Sequence, residues 1–180
     1  MPKQELSTRA QAESTRLDLP QAEYLRQLLE SEQNLPLASI GGLVASLVGA
    51  AIWAGVTLTT GYQIGFMAIG VGFLVGFTVR SLGKGITRSF GLLGAALSLL
   101  GCAVGNLLAV TAILANAQQI PFGTALAGLD AALIREIMLA YFRPMDLLFY
   151  AIAVYYGYRL SFRQLTEAQL NAMLSGGAEG

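Results

Sequence analysis

Uncharged, largely apolar residues fill the chain from Leu37 to Thr60 and again from Tyr62 to Val79, with only Gly61 between the two runs. As α-helices rising about 1.5 Å per residue they would reach roughly 36 Å and 27 Å, against a bilayer hydrocarbon core of about 30 Å. A backbone in lipid must satisfy its own hydrogen bonds, so runs of this length predict membrane-spanning helices, here joined as an antiparallel hairpin. A third uncharged run covers Ser89 to roughly Leu114, and a shorter fourth covers Met145 to about Leu160. The pattern predicts an all-α, polytopic membrane protein with four transmembrane helices.

Polar stretches frame these runs. Residues 1–17 show no apolar periodicity and predict disorder. Asp18-Leu19-Pro20 then offers a helix start, and Tyr24, Leu25, Leu28 and Leu29 recur at helical spacing. They predict an amphipathic helix from about Pro20 to Glu32, ended by Asn34-Leu35-Pro36. Its acidic residues Glu23, Glu30 and Glu32 outnumber Arg26, which suits anionic lipid poorly, so the apolar face is expected to dock on protein. Residues Ala115 to Thr124, with Asn116, Gln118, Gln119, Pro121 and Gly123, predict a loop. After it, Leu126, Leu129, Leu133, Ile134, Ile137 and Met138 oppose Asp130, Arg135 and Glu136, predicting a helix near 125–142 that lies along the membrane surface. The organisation read from this is a cytoplasmic segment 1–36, a transmembrane domain 37–163 and a polar tail 164–180.

Composition agrees with the pattern: 54% of residues are hydrophobic and 12% charged, where soluble domains carry about a quarter charged residues. Basic and acidic residues balance at 11 each, so no charge excess points to nucleic acid. The single cysteine, Cys102, and the lack of histidine exclude an intrachain disulfide and the usual zinc constellations, and no cofactor is expected. Residues 1–36 are mostly polar, so no signal peptide is read and the first span is expected to be a retained anchor.

Within the spans, small residues recur four apart: Gly41, Ala45 and Gly49 in the first, Ala68, Gly72 and Gly76 in the second, Gly101 and Gly105 in the third. Lipid tails are as apolar as leucine, so helices in a bilayer gain from close backbone approach, and these rows predict tight helix packing, the hairpin included. A separate row holds Gly94, Ser98, Cys102 and Asn106. An asparagine amide facing lipid would lack partners, so Asn106 should point into the bundle or across a subunit boundary, where one interhelical hydrogen bond is its expected role. A shift of 50 residues aligns Ser39, Gly41, Leu43, Ala45, Leu47 and Gly55 with Ser89, Gly91, Leu93, Ala95, Leu97 and Gly105, matches that duplication or membrane composition alone would produce. With four spans, every basic residue except Arg135 and Arg143 falls on the side of the termini, which places both termini in the cytoplasm.

No catalytic constellation emerges. Cys102 sits mid-span, where a buried thiol is an inert small apolar side chain. Asp146, just past Pro144, suits the first turn of the last helix. Two functional classes fit. One is a non-enzymatic membrane module that forms a homo-oligomer or a subunit of a membrane complex, anchoring a partner through Tyr24, Leu25, Leu28 and Leu29. The other is a small oligomeric channel or carrier with a weakly polar path along Ser46, Thr57, Ser98, Asn106 and Thr111. The first is preferred because packing faces outnumber polar lining.

Trp53, Thr60-Gly61-Tyr62, Ile64-Gly65, Ala68, Gly70-Val71-Gly72 and Val75-Gly76, with Asp146-Leu147-Leu148-Phe149-Tyr150, Tyr158 and Ser161 near the end, give the chain a text similar to one protein group. It resembles uncharacterised bacterial small multi-pass membrane proteins with a TGYxIGxxAxGVGxLVG hairpin. The resemblance covers about half the chain and implies a bacterial inner-membrane module appended to varied N-terminal regions, with no reaction or ligand attached.

Overall fold

The computed structural model describes residues 23, 24, 26–141 and 143–164. The chain divides into a larger unit, Asn34–Arg163, and a smaller one drawn from the segments on either side. In the smaller unit, residues 23, 24 and 26–31 are helical, with Arg26 Nε donating to Glu30 Oε1 at 3.0 Å across one turn. Of the apolar face expected to dock, Leu29 is buried, Tyr24 and Leu28 are exposed, and Leu25 lies outside the described residues. The segments 1–17 and 165–180 also lie outside them.

The larger unit is built of helices, and no strand occurs among the described residues: α1 (Leu35–Thr60), α2 (Met67–Gly83), α3 (Arg88–Gln118), α4 (Phe122–Ala127), α5 (Ala131–Tyr141) and α6 (Pro144–Leu160). Two of them, α1 and α3, are long and apolar enough to cross a membrane, and the count rises to three if the bent pair α5 and α6 forms one span.

Several boundaries differ from the sequence reading, each for a visible reason. Asn34-Leu35-Pro36 starts a helix instead of ending one: Asn34 Oδ1 accepts from the Leu37 N–H at 2.9 Å, and Pro36 sits in the first turn, where its missing N–H costs nothing. The second apolar run is helical only from Met67. Its first residues, after Gly61 has closed α1 in the left-handed region at φ 71°, cross the end of the bundle, with Gly65 so close under Phe149 that a β-carbon there would lie 2.5 Å from the ring. Irregular backbone of this kind is tolerated when protein covers it. The expected loop from Ala115 is helical through Gln118. The stop comes at Gln119, with φ 57°, where the Ile120 N–H reaches back to Ala115 O at 3.0 Å before Pro121. The single surface helix near 125–142 is two helices, because Asp130, expected on a polar face, instead caps α5 through Oδ1 and the Leu133 N–H at 2.7 Å. Ile137 is the buried member of α5. From α5 the chain bends 101° into α6, whose first turn is held by Asp146 Oδ2 accepting from the Arg143 N–H at 2.9 Å.

The four longest helices alternate in direction. Gly42 faces Leu97 and Gly101 faces Ser46, so α1 and α3 run parallel; Gly72 faces Ala153 and Gly76 faces Leu160, so α2 and α6 do too. The pair α2 and α3 packs together at the centre, with α1 on one side and α6 on the other, and α4 and α5 lean on α3. Among the described residues α1 and α6 do not touch. Gly41 and Gly91, equivalent under the 50-residue shift, each meet the antiparallel partner of their own helix or the turn after it, whereas Gly55 stands open and Gly105 lies under Trp53.

Candidate functional site: the polar seams of the bundle

Small residues set how near the helices come. A β-carbon on Gly72 would strike the Ala153 carbonyl oxygen and stand 2.8 Å from its Cα, and one on Gly76 would stand 2.9 Å from the Leu160 β-carbon. Ala68, Gly72 and Gly76 are buried, but the two glycines seat α6, not the first helix. The hairpin of α1 and α2 closes by another means: Gly41 meets Leu82 and Thr78, Gly42 meets Val79, and Gly49 meets Val71, with Ala45 buried between them. Valine methyls of α2 thus fill notches in α1.

Helix α3 carries two faces, as its two rows predict. Gly101 approaches Val71 and Ser46, and Gly105 approaches Trp53. Gly94 and Ser98 turn toward α6, where Gly157 and Ser161, also four apart, complete the contact, while farther along the row the Cys102 thiol points to Ala68 of α2. A β-carbon on Gly157 would strike Ser98 Oγ and stand 2.8 Å from Gly94 O. The reading by spacing found one half of this seam and missed Gly157 and Ser161, which obey the same rule.

Polar groups stitch the seams. Asn106 is 2% exposed; its amide oxygen accepts from Gln63 Nε2 in the connection before α2, and its side chain also hydrogen-bonds Tyr150 of α6, the interhelical bond expected of a deep asparagine. Tyr150 points inward and donates to Cys102 O at 3.1 Å, and Cys102 Sγ in turn donates to Ala68 O at 3.7 Å. That chain joins α2, α3 and α6. Ser46 Oγ donates across to Leu97 O at 3.0 Å, and Ser161 Oγ to its own helix at Gly157 O, 2.6 Å. Among the described residues Trp53 Nε1, Thr57 Oγ1 and Ser98 Oγ are buried with no hydrogen-bond partner.

These groups are amides, hydroxyls and a thiol, able to hold helices in register. The side chains expected to line a path sit in separate places: Ser46 bonds in the α1–α3 seam, Ser98 faces α6, and Thr111 bonds back to Leu107 O at 2.8 Å. A cavity of about 240 Å³ lies to one side, between α3 and the α4–α5 segment, lined by residues such as Leu114, Gln118, Thr124 and Leu129. Comparison of the chain with protein-family models, curated proteins and solved structures found no match.

Proposed function

We propose that this chain is a non-enzymatic integral membrane module whose four long helices cross the bilayer, with both termini in the cytoplasm of a bacterial cell. It forms a homo-oligomer or joins a partner membrane complex and acts there as a scaffold. One observation carries the reading: large apolar side chains stand exposed on all four helices, while most of the four-spaced small residues, with Ser46, Thr57, Ser98 and Asn106, are turned inward. Ile40, Val44 and Ile52 on α1, Phe73 and Phe77 on α2, Leu92 and Leu99 on α3, and Leu147 and Leu148 on α6 all face outward. A contiguous apolar surface of this extent fits a hydrocarbon surround, not water. At 17 residues each, α2 and α6 reach about 26 Å, a mismatch that local bilayer thinning accommodates. Interior polar groups engaged in separate seams favour packing over a solute path.

Three measurements test this. Single cysteines at Gln118 and Ser81, both exposed, in a Cys102→Ala background should label from outside and inside respectively; reversed labelling refutes the orientation. In reconstituted vesicles the protein should add no permeability to ions or small solutes, and native mass spectrometry should find it in an assembly. A lone monomer, or a solute flux abolished by Asn106→Leu, overturns the scaffold reading.

A further inference from the structure

Five of the seven cations of the larger unit gather at one end, away from its carboxylates. Arg80, Lys84, Arg88, Arg159 and Arg163 cluster where α2 and α6 finish and α3 begins, whereas its carboxylates, Asp130, Glu136 and Asp146, all lie between α4 and the first turn of α6. The parallel packing of α2 and α6 brings the cations together, and the Arg163 N–H ties the end of α6 to Gly85 O at 2.8 Å. Two of the cations stand on the lateral edge of the α2–α6 seam. Arg80 lies over the Phe77 ring at 5.7 Å, and Arg159 Nη1 donates to the Tyr155 hydroxyl at 3.2 Å. Farther from the basic end, Phe73 stacks on Tyr156 with ring centroids 4.5 Å apart. Phe73, Phe77 and Tyr155 are 45%, 60% and 54% exposed, so this aromatic ladder faces outward. Among the described residues neither arginine pairs with a carboxylate.

We infer that this edge is a binding site for an anionic phospholipid, its phosphate held by Arg80 and Arg159 and an acyl chain lying along Phe73 and Tyr156. The inference rests on the membrane-spanning reading. Guanidinium groups are weakly hydrated, present a fork that matches phosphate, and here are already restrained by aromatic neighbours, so less freedom is lost on binding. Aromatic side chains below them suit the depth at which headgroup gives way to hydrocarbon.

The test is native mass spectrometry of the delipidated full chain, titrated with phosphatidylglycerol or phosphatidylcholine of identical acyl chains. Wild type should prefer phosphatidylglycerol. Arg80→Gln or Arg159→Gln should each weaken that binding about fivefold, and the pair together about thirtyfold, leaving phosphatidylcholine unchanged. Removing the same charge elsewhere, by Arg135→Gln with Arg143→Gln, should leave the preference intact. The site is refuted if wild type binds both lipids equally, a result that needs no variant to fold, or if the distant pair lowers binding as much as the proximal pair. It is refuted equally if soluble glycerol 3-phosphate displaces the lipid, since the site would then take phosphate alone. Alkaline carbonate extraction separates this outcome from failure of the membrane reading: a protein retained in the bilayer but indifferent to lipid charge loses only the site.

Discussion

Alanine in place of Gly72 probes the α2–α6 seam with one atom. Its β-carbon would stand 2.8 Å from Ala153 Cα and 3.0 Å from the Ala153 carbonyl carbon, where carbon pairs prefer about 3.5–4.0 Å. Because the obstruction is backbone, no side chain can swing aside, and α6 must retreat by about 1 Å. A gap of about 0.5–1 Å already forfeits a quarter to a half of each dispersion contact along a seam. Overpacking of this kind costs about 1–3 kcal/mol. Gly70, two residues earlier on the same helix, has nothing within 4 Å of its would-be β-carbon, so Gly70→Ala carries the same change in helix propensity without the collision. Thermal unfolding in one detergent should place Gly72→Ala well below wild type and Gly70→Ala at or above it. Equal transitions for the two variants, or a stabilised Gly72→Ala, would refute the account of the seam.

Asn106→Leu and Gln63→Ala each remove the same hydrogen bond, so their double-mutant cycle should show a coupling of about 0.6 kcal/mol, the average for membrane proteins; strictly additive losses would mean the contact is not formed in solution. Thr57→Val replaces a buried hydroxyl without a partner among the described residues, and stability should hold or rise, since an unpaired buried group costs about 1–3 kcal/mol. A clear fall in the unfolding temperature of that variant would instead show that the hydroxyl is bonded.

The long helices were legible in the sequence because each is built on an uncharged or nearly uncharged apolar run too long for a strand, a pattern that local propensity does not override. The helix ends were not. Asn34 and Pro36 are the residues of a stop and of a start alike, and only the Leu37 N–H shows which applies. Tyr62 to Phe66 carry no charge, so hydropathy joined them to the following helix; their irregular course depends on Phe149, far along the chain, covering Gly65. Small-residue spacing found the correct helix faces but not their neighbours. Gly72 and Gly76 announce a close approach, and nothing local says that the approaching backbone belongs to α6. Asn106 was legible as an inward residue, since desolvation decides that alone, whereas one of its two partners, Gln63, stood in a run read as helix.

The separation of α1 from α6 by the central pair bears on how the molecule is made. A ribosome delivers α1, α2 and α3 in that order, and each of these contacts the one before it, so three helices can settle before the last exists. Until α6 arrives, Gly72 and Gly76 on α2 and Gly94 and Ser98 on α3 form an open trough of bare backbone. No correction of α1 is then required when α6 enters, because the two share no surface among the described residues. The 101° turn ahead of Pro144 and the excursion through α4 and α5 lengthen the wait. Chains halted before Pro144 should therefore expose this trough and be cleaved by added protease faster than the full chain.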